Sequence, residues 1–243
     1  MSVDRWTISA IILAIGLAVG GFLAGNGIAR VRAADRVVTV KGISEREARA
    51  DLAIWPIRIV AADNDLSRAH AQLQASVSRT RQFLAAQQLD TLQTELQDFS
   101  VQDANTNQYG SAQNAGSRFV IHQTVVVRST RPDLVLAASQ RVAELVSAGV
   151  VLSSGEQYGN GGPTFIFTGL NKLKPQMIAE ATARAREGAE QFARDSRSGL
   201  GGIRRANQGV FEILPRDQAQ GITEASQIVK MVRVVSTVEY SLD

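Results

Sequence analysis

Two histidines have the most obvious chemical potential in this chain, and both are predicted to be structural or exposed. A histidine can transfer protons or bind a metal near neutral pH. His70 falls within a predicted helix, beside its apolar stripe, and His122 falls on a predicted strand with no carboxylate nearby in the sequence. The chain has no cysteine, which excludes disulfides, thiolate metal sites, iron–sulfur clusters and a cysteine nucleophile.

One acidic and two glycine-rich segments offer further candidate sites, but local structure explains each more simply. Asp63-Asn64-Asp65 lacks the glycine and the distal glutamate of a calcium-binding loop, so these residues are predicted to cap a helix. The glycine-rich segment 199–202 follows a predicted helix, whereas phosphate-binding loops follow a strand and open a helix. A helix C-cap is therefore predicted at 199–202, and a turn at the glycine-rich segment 159–162.

The wider search for chemistry is also negative. No GxSxG, HExxH or Walker pattern occurs in the chain. We therefore predict no metal and no cofactor. An active site of dispersed residues would escape a motif search, so an enzyme stays an open alternative at this point. The net charge is +3 and no basic run reaches five residues, so nucleic acid is not an expected partner.

The amino-terminal segment is the most informative part of the chain. No charged residue occurs between Arg5 and Arg30, and this length reaches the ~20 residues needed to cross a bilayer as a helix. We therefore predict one transmembrane helix within residues 1–29 and a linker at 30–36. Two GxxxG spacings would let this helix pack closely against another helix, and the candidate residues are Gly16, Gly20, Gly21 and Gly25.

Two other interpretations of this segment stay open. Residues 31–33 could form the cleavage site of a signal peptide, although the apolar run is long and Arg30 and Arg32 lie where such a site is normally uncharged. The segment could instead be a buried helix of a soluble protein. Charge leaves the orientation undecided, because the positive-inside rule weakly favours a cytoplasmic domain but long domains translocate regardless of flanking charge.

The remaining chain, residues 37–243, is predicted to be one α+β domain. Its elements follow the order ββαββαβαββ, which implies a mainly antiparallel sheet with helices packed on one face. Pro56 cannot donate a ladder hydrogen bond, so the strand at 51–61 is expected at a sheet edge or with a bulge. The predicted strands are 36–44, 51–61, 92–103, 118–129, 150–157, 210–214 and 227–242, with a further extended run at 164–168. The long helix runs from about 174 to 198.

Read in order, these elements resemble the SIMPL-domain family, whose bacterial members include periplasmic oxidative-stress-defence proteins and an immunogenic periplasmic antigen. The opening strands at 38–42 and 50–53 and the central strand at 119–127 carry part of the resemblance. The most specific stretch is 165–202, where a strand and an alanine-rich helix end in Leu200-Gly201-Gly202. The final strand at 232–242 also fits.

The resemblance implies a non-enzymatic, extracytoplasmic protein that self-associates, since relatives form large ring-like or cylindrical oligomers and are linked to stress resistance. We accordingly expect a single-pass protein of the bacterial inner membrane, with its carboxy-terminal domain in the periplasm. Its expected partners are further copies of itself and the lipid bilayer. Protein clients stay unknown. An open edge at 51–61 could pair between subunits. The alternatives are a secreted soluble binding module and an enzyme with an unrecognised polar pocket.

Overall fold

The computed structural model describes residues 14–22, 36–90, 94–106, 116–153 and 161–243. The chain is an α+β protein with antiparallel strand pairing. Its helices are α1 (14–22), α2 (Leu66–Ala86), α3 (Pro132–Gln140), α4 (Ala143–Ser147) and α5 (Leu170–Asp195). Its strands are β1 (Val37–Arg49), β2 (Leu52–Asp63), β3 (Thr94–Asp103), β4 (Phe119–Ser129), β5 (Thr164–Ile166), β6 (Leu200–Gln208), β7 (Glu212–Pro215) and β8 (Val229–Leu242).

The chain divides into two compact units, where the sequence analysis treats 37–243 as one domain. The first unit contains residues 1–45, 174–212 and 233–243, and the second contains 46–173 and 213–232. The strands form two four-stranded sheets. One has the order β1-β8-β6 with β7 also beside β8, and the other has the order β3-β4-β2-β5.

The first unit is held together by close packing of α5 on its sheet. Small alanines line the buried face of α5, so the helix backbone can approach the strands. Gly42 on β1 is a point of close approach, because a Cβ at this position would overlap the carbonyl oxygen of Ala181. The buried cluster consists of Val40, Ala185, Ala189, Val238 and Tyr240.

The second unit has the larger core, which lies between α2 and the sheet that contains β2 and β4. These two strands pair from Ala53↔Ser129 to Asp63↔Phe119. Alternate residues of each strand are buried, as expected for a sheet covered on one face. The helix contributes its buried stripe of Ala69, Leu73, Val77 and Leu84.

The expectation of an open edge at 51–61 is wrong, because β2 is an interior strand. It pairs with β4 along one side and with β5 through Leu52–Ile54 on the other. On that second side the Val60 amide also donates to the Val151 carbonyl. The backbone nitrogen of Pro56 faces the same side of β2 as the backbone amide of Val60, because the two residues are an even number of positions apart along the strand. It lies in the gap between the two pairings, where no ladder donor is needed.

Other boundaries also differ from the predictions. The glycine-rich segment at 199–202 is not a helix C-cap, because Gly201 and Gly202 lie in β6, a strand that the sequence analysis missed. Arg197 adopts the positive φ of 53° beyond the end of α5. In place of the predicted strand at 150–157, the described residues show an isolated bridge between Leu152 and Ile59. Between β4 and this bridge the chain forms two short helices, α3 and α4.

The predicted transmembrane helix receives no support from the described residues. Within the segment, α1 covers only 14–22, and the rest of it lies outside the described residues. In the part of the chain that the structure describes, no helix is long and apolar enough to cross a membrane.

Candidate functional site

Neither histidine is assembled into a catalytic or metal site in the described part of the chain. His70 is exposed on α2, and its Nε2 lies 3.4 Å from Nε2 of Gln74. His122 is half-buried on β4, between Val60 and Ser100 in the register of the sheet. Among the described residues, no group of three or more His, Asp or Glu side chains could hold a metal ion.

The Asp63-Asn64-Asp65 cluster caps α2, as predicted. The carboxylate of Asp65 accepts from the Arg68 backbone amide at 2.9 Å. Asp63 accepts from the Arg68 guanidinium at 2.7 Å and from the Asp65 amide at 2.9 Å. The Arg68 hydrogen bond is the main reason that the pKa of Asp63 is lowered to about 2. The carboxylates of Asp63 and Asp65 therefore accept hydrogen bonds at the start of α2, including those from Arg68.

The helix-packing candidates lie partly outside the described residues. Gly16, Gly20 and Gly21 lie on α1, whose residues are exposed, and a Cβ at any of the three would meet no atom within 4 Å. Gly25 lies outside the described residues. The three described glycines therefore leave room for close approach of another helix, but the predicted packing stays a prediction.

The first open strand edge of the molecule belongs to β3, the terminal strand of its sheet. Among the described residues, β3 pairs only with β4. The side chains of Leu96, Phe99 and Val101 on β3 are 44%, 54% and 45% exposed. A β-bulge lies between Gln97 and Ser100, where β3 advances by three residues while β4 advances by two. The result is an accessible edge with apolar side chains along it.

Acidic residues give this edge a negative character. The strand sequence TELQDFSVQD has three carboxylates, Glu95, Asp98 and Asp103, and no basic residue. Asp98 adopts a φ of 53°, a left-handed conformation that aspartate tolerates better than most residues, within the bulge. Asp103 is neutralised locally by Arg118, whose side-chain hydrogen bond is the main cause of its lowered pKa.

The second open strand edge belongs to β6, and it has the opposite charge. In the described chain, β6 pairs with β8 alone. Its sequence LGGIRRANQ has two arginines, Arg204 and Arg205, and no carboxylate. Residues 202–208 are all exposed, including Ile203 with 53% of its surface accessible. We refer to these two surfaces below as the β3 edge and the β6 edge.

The sequence analysis missed a buried lysine on β8. Lys230 is fully buried, and its Nζ donates to the carbonyl oxygen of Phe165 at 2.7 Å and to the carbonyl oxygen of Glu224. The same Nζ lies 2.5 Å from Oε1 of Glu224. Because Lys230 is in phase with the buried Val232 and Val234, the alternation of β8 would have placed it inward. These contacts anchor the turn at Glu224–Ser226 to β5, a structural role.

The fold and the surfaces together define an α+β protein with antiparallel sheets. Among the described residues the terminal strands are β1, β3, β5 and β6, and of these the charged side chains of β3 are all acidic and those of β6 are all basic. The chain belongs to the SIMPL family, described as a protein of unknown function (DUF541), whose family model matches residues 38–239. This confirms the resemblance found in the sequence. No curated protein matches the chain.

Proposed function

We propose that this protein is a non-enzymatic, self-associating protein that forms a large ring- or cage-like homo-oligomer. The observation that carries the proposal is the pair of open strand edges, β3 and β6. Each is a terminal strand of its sheet among the described residues and carries exposed apolar side chains. Strand addition to such edges is a common way for protein chains to associate. The resemblance to family members that form large hollow oligomers supports the same proposal.

The proposal places the assembly at the bacterial inner membrane, anchored by the amino-terminal segment and facing the periplasm. Its support is the absence of any charge between Arg5 and Arg30, over a length that can cross a bilayer. Several anchors on one oligomer would hold it at the membrane more tightly than one anchor could, because the later binding events become intramolecular. A role in envelope or oxidative stress defence rests on the family resemblance alone.

Particle mass tests the proposal directly. The full-length chain is extracted from membranes in mild detergent, and its mass, shape and amino terminus are measured. We expect a discrete particle of many subunits with the amino terminus intact. A monomer or dimer in the soluble fraction, with a chain that begins near Ala34, would contradict both the assembly and the anchor. A large soluble particle of cleaved chains would contradict the anchor only.

A further inference from the structure

We propose that the copies associate head to tail, with the β6 edge of one copy paired to the β3 edge of the next. This inference rests on the proposed self-association and names the surfaces that carry it. The β3 strand has ten residues and β6 has nine, so the two edges have nearly the same length. Each is a terminal strand of its sheet among the described residues. The other terminal strands are less suited to this pairing, because β1 carries charges of both signs and β5 has three residues. The occupant of each edge is thus a second copy of this chain.

Charge decides which edges pair. Two β3 edges brought together would place carboxylates such as Glu95 and Asp98 near their own counterparts, and like charges across a strand pair are destabilising. Two β6 edges would do the same with Arg204 and Arg205. A β3 edge paired with a β6 edge would instead place carboxylates near arginines, so that the charges attract each other. The charges therefore disfavour symmetric pairing of identical edges and favour the mixed pair.

Apolar side chains supply a second reason for the mixed pair. Leu96, Phe99 and Val101 are each at least 44% exposed on the β3 strand, and Ile203 is 53% exposed on β6. Strand addition at these edges would bring apolar side chains of the two copies beside each other and remove part of their surface from water. The bulges in both strands limit the length of uninterrupted pairing, which protects each edge from indiscriminate aggregation.

The mode of contact has a consequence for the assembly. Two different surfaces meet in a head-to-tail interface, so every added copy presents a further open edge. Such a series ends only by closing into a ring or by continuing as a filament. Symmetric pairing of one edge would instead stop at a dimer. A ring-like oligomer is therefore the closed form that this pair of edges would generate.

Charge reversal tests the pairing in the full-length chain in detergent. Glu95→Lys with Asp98→Asn makes the β3 edge weakly basic, because Asp103 is paired with Arg118 and the introduced lysine is then the remaining unbalanced charge. Asparagine retains tolerance for the left-handed backbone at position 98. Arg204→Glu with Arg205→Glu makes the β6 edge acidic. We expect either double variant to weaken self-association by about tenfold or more. The chain that carries all four substitutions should recover it, because its edges are complementary again.

The matched control is Glu187→Lys, which changes charge on the exposed face of α5 and should leave the particle mass unchanged. Circular dichroism checks that each variant is folded. A native oligomer whose mass neither double variant alters would overturn the head-to-tail pairing while leaving self-association intact. A larger or tighter particle from the β3 variant would do the same, because it would indicate symmetric β3 pairing. A native monomer would overturn both proposals.

Discussion

At the scale of single residues, charged groups in this protein are used mainly to secure local structure. Lys230 holds the Glu224–Ser226 turn against β5 from a fully buried position. Asp63 and Arg68 secure the start of α2 in the same way. A buried ammonium has given up its hydration, so it depends on the carbonyl and carboxylate oxygens around it. These residues are therefore expected to matter for stability rather than for catalysis.

Lys230→Ala should destabilise the protein by about 3 kcal/mol, because it leaves the buried carbonyl of Phe165 without its donor and opens a cavity. The free energy of unfolding in urea measures the effect. Lys172→Ala is the matched control, since Lys172 is exposed on α5 and its truncation should change stability by less than about 0.5 kcal/mol. Equal effects of the two substitutions would show that the buried contacts of Lys230 contribute nothing.

Asp63→Asn should reduce stability above pH 4 and progressively less toward pH 2. The pKa of Asp63 falls from 3.8 to about 2 in the folded protein, mainly because of the Arg68 hydrogen bond. A carboxyl whose pKa is lowered by folding stabilises the protein above its unfolded pKa and loses that contribution as pH falls through its folded pKa. The free energies of unfolding of the native and variant proteins are measured at several pH values, and their difference at each pH gives the effect of the substitution on stability.

The control for this pH effect is the Arg68→Met background, in which the main donor to Asp63 is absent. In this background, Asp63→Asn should change the pH dependence of the free energy of unfolding much less than it does in the native chain. If the substitution has the same pH profile in both backgrounds, the Arg68 contact is not the source of the lowered pKa.

At the scale of elements, close approach of a helix to a strand determines the packing of the first unit. The face of α5 that packs inward carries alanines at intervals of four residues, including Ala181, Ala185 and Ala189. This spacing puts small side chains on one stripe of the helix. Gly42 on β1 completes the contact, because the helix backbone occupies the space where a side chain would lie.

Gly42→Ala should therefore destabilise the protein by about 3 kcal/mol, since its methyl group can be accommodated only by displacing the backbone of α5. Thermal unfolding with a calorimetric enthalpy gives the magnitude. Gly202→Ala is the matched control, because a Cβ there meets nothing within 4 Å and residue 202 lies on the exposed β6. A Gly42→Ala protein as stable as Gly202→Ala would disprove the close contact.

At the scale of the whole molecule, the β3 and β6 edges would let one chain build a defined assembly. In the proposed pairing each edge would repel its own kind and attract the other, so charge would specify the orientation. The particle-mass measurement tests whether the chain assembles, and the charge-reversal series tests which edges meet. Both measurements belong to the full-length chain, because the amino-terminal segment supplies the proposed anchor.

The local features that depend on periodicity and side-chain chemistry could be predicted from the sequence. The long alternating run of β8 and the cap at Asp65 were predictable, because alternation and capping are properties of neighbouring residues. The family was recognisable for the same reason, and the family match confirms it.

The positions of the strands, interior or at an edge, became known from the folded chain. Pro56 suggested that β2 is an edge strand, yet β2 has partners on both of its sides. The exposed and polar β6 carries no strong periodic signal, and its pairing with β8 makes it a strand. Strand pairing joins residues distant in the chain, so short-range patterns do not encode it. The open edges that carry our proposals therefore emerged only from the folded chain.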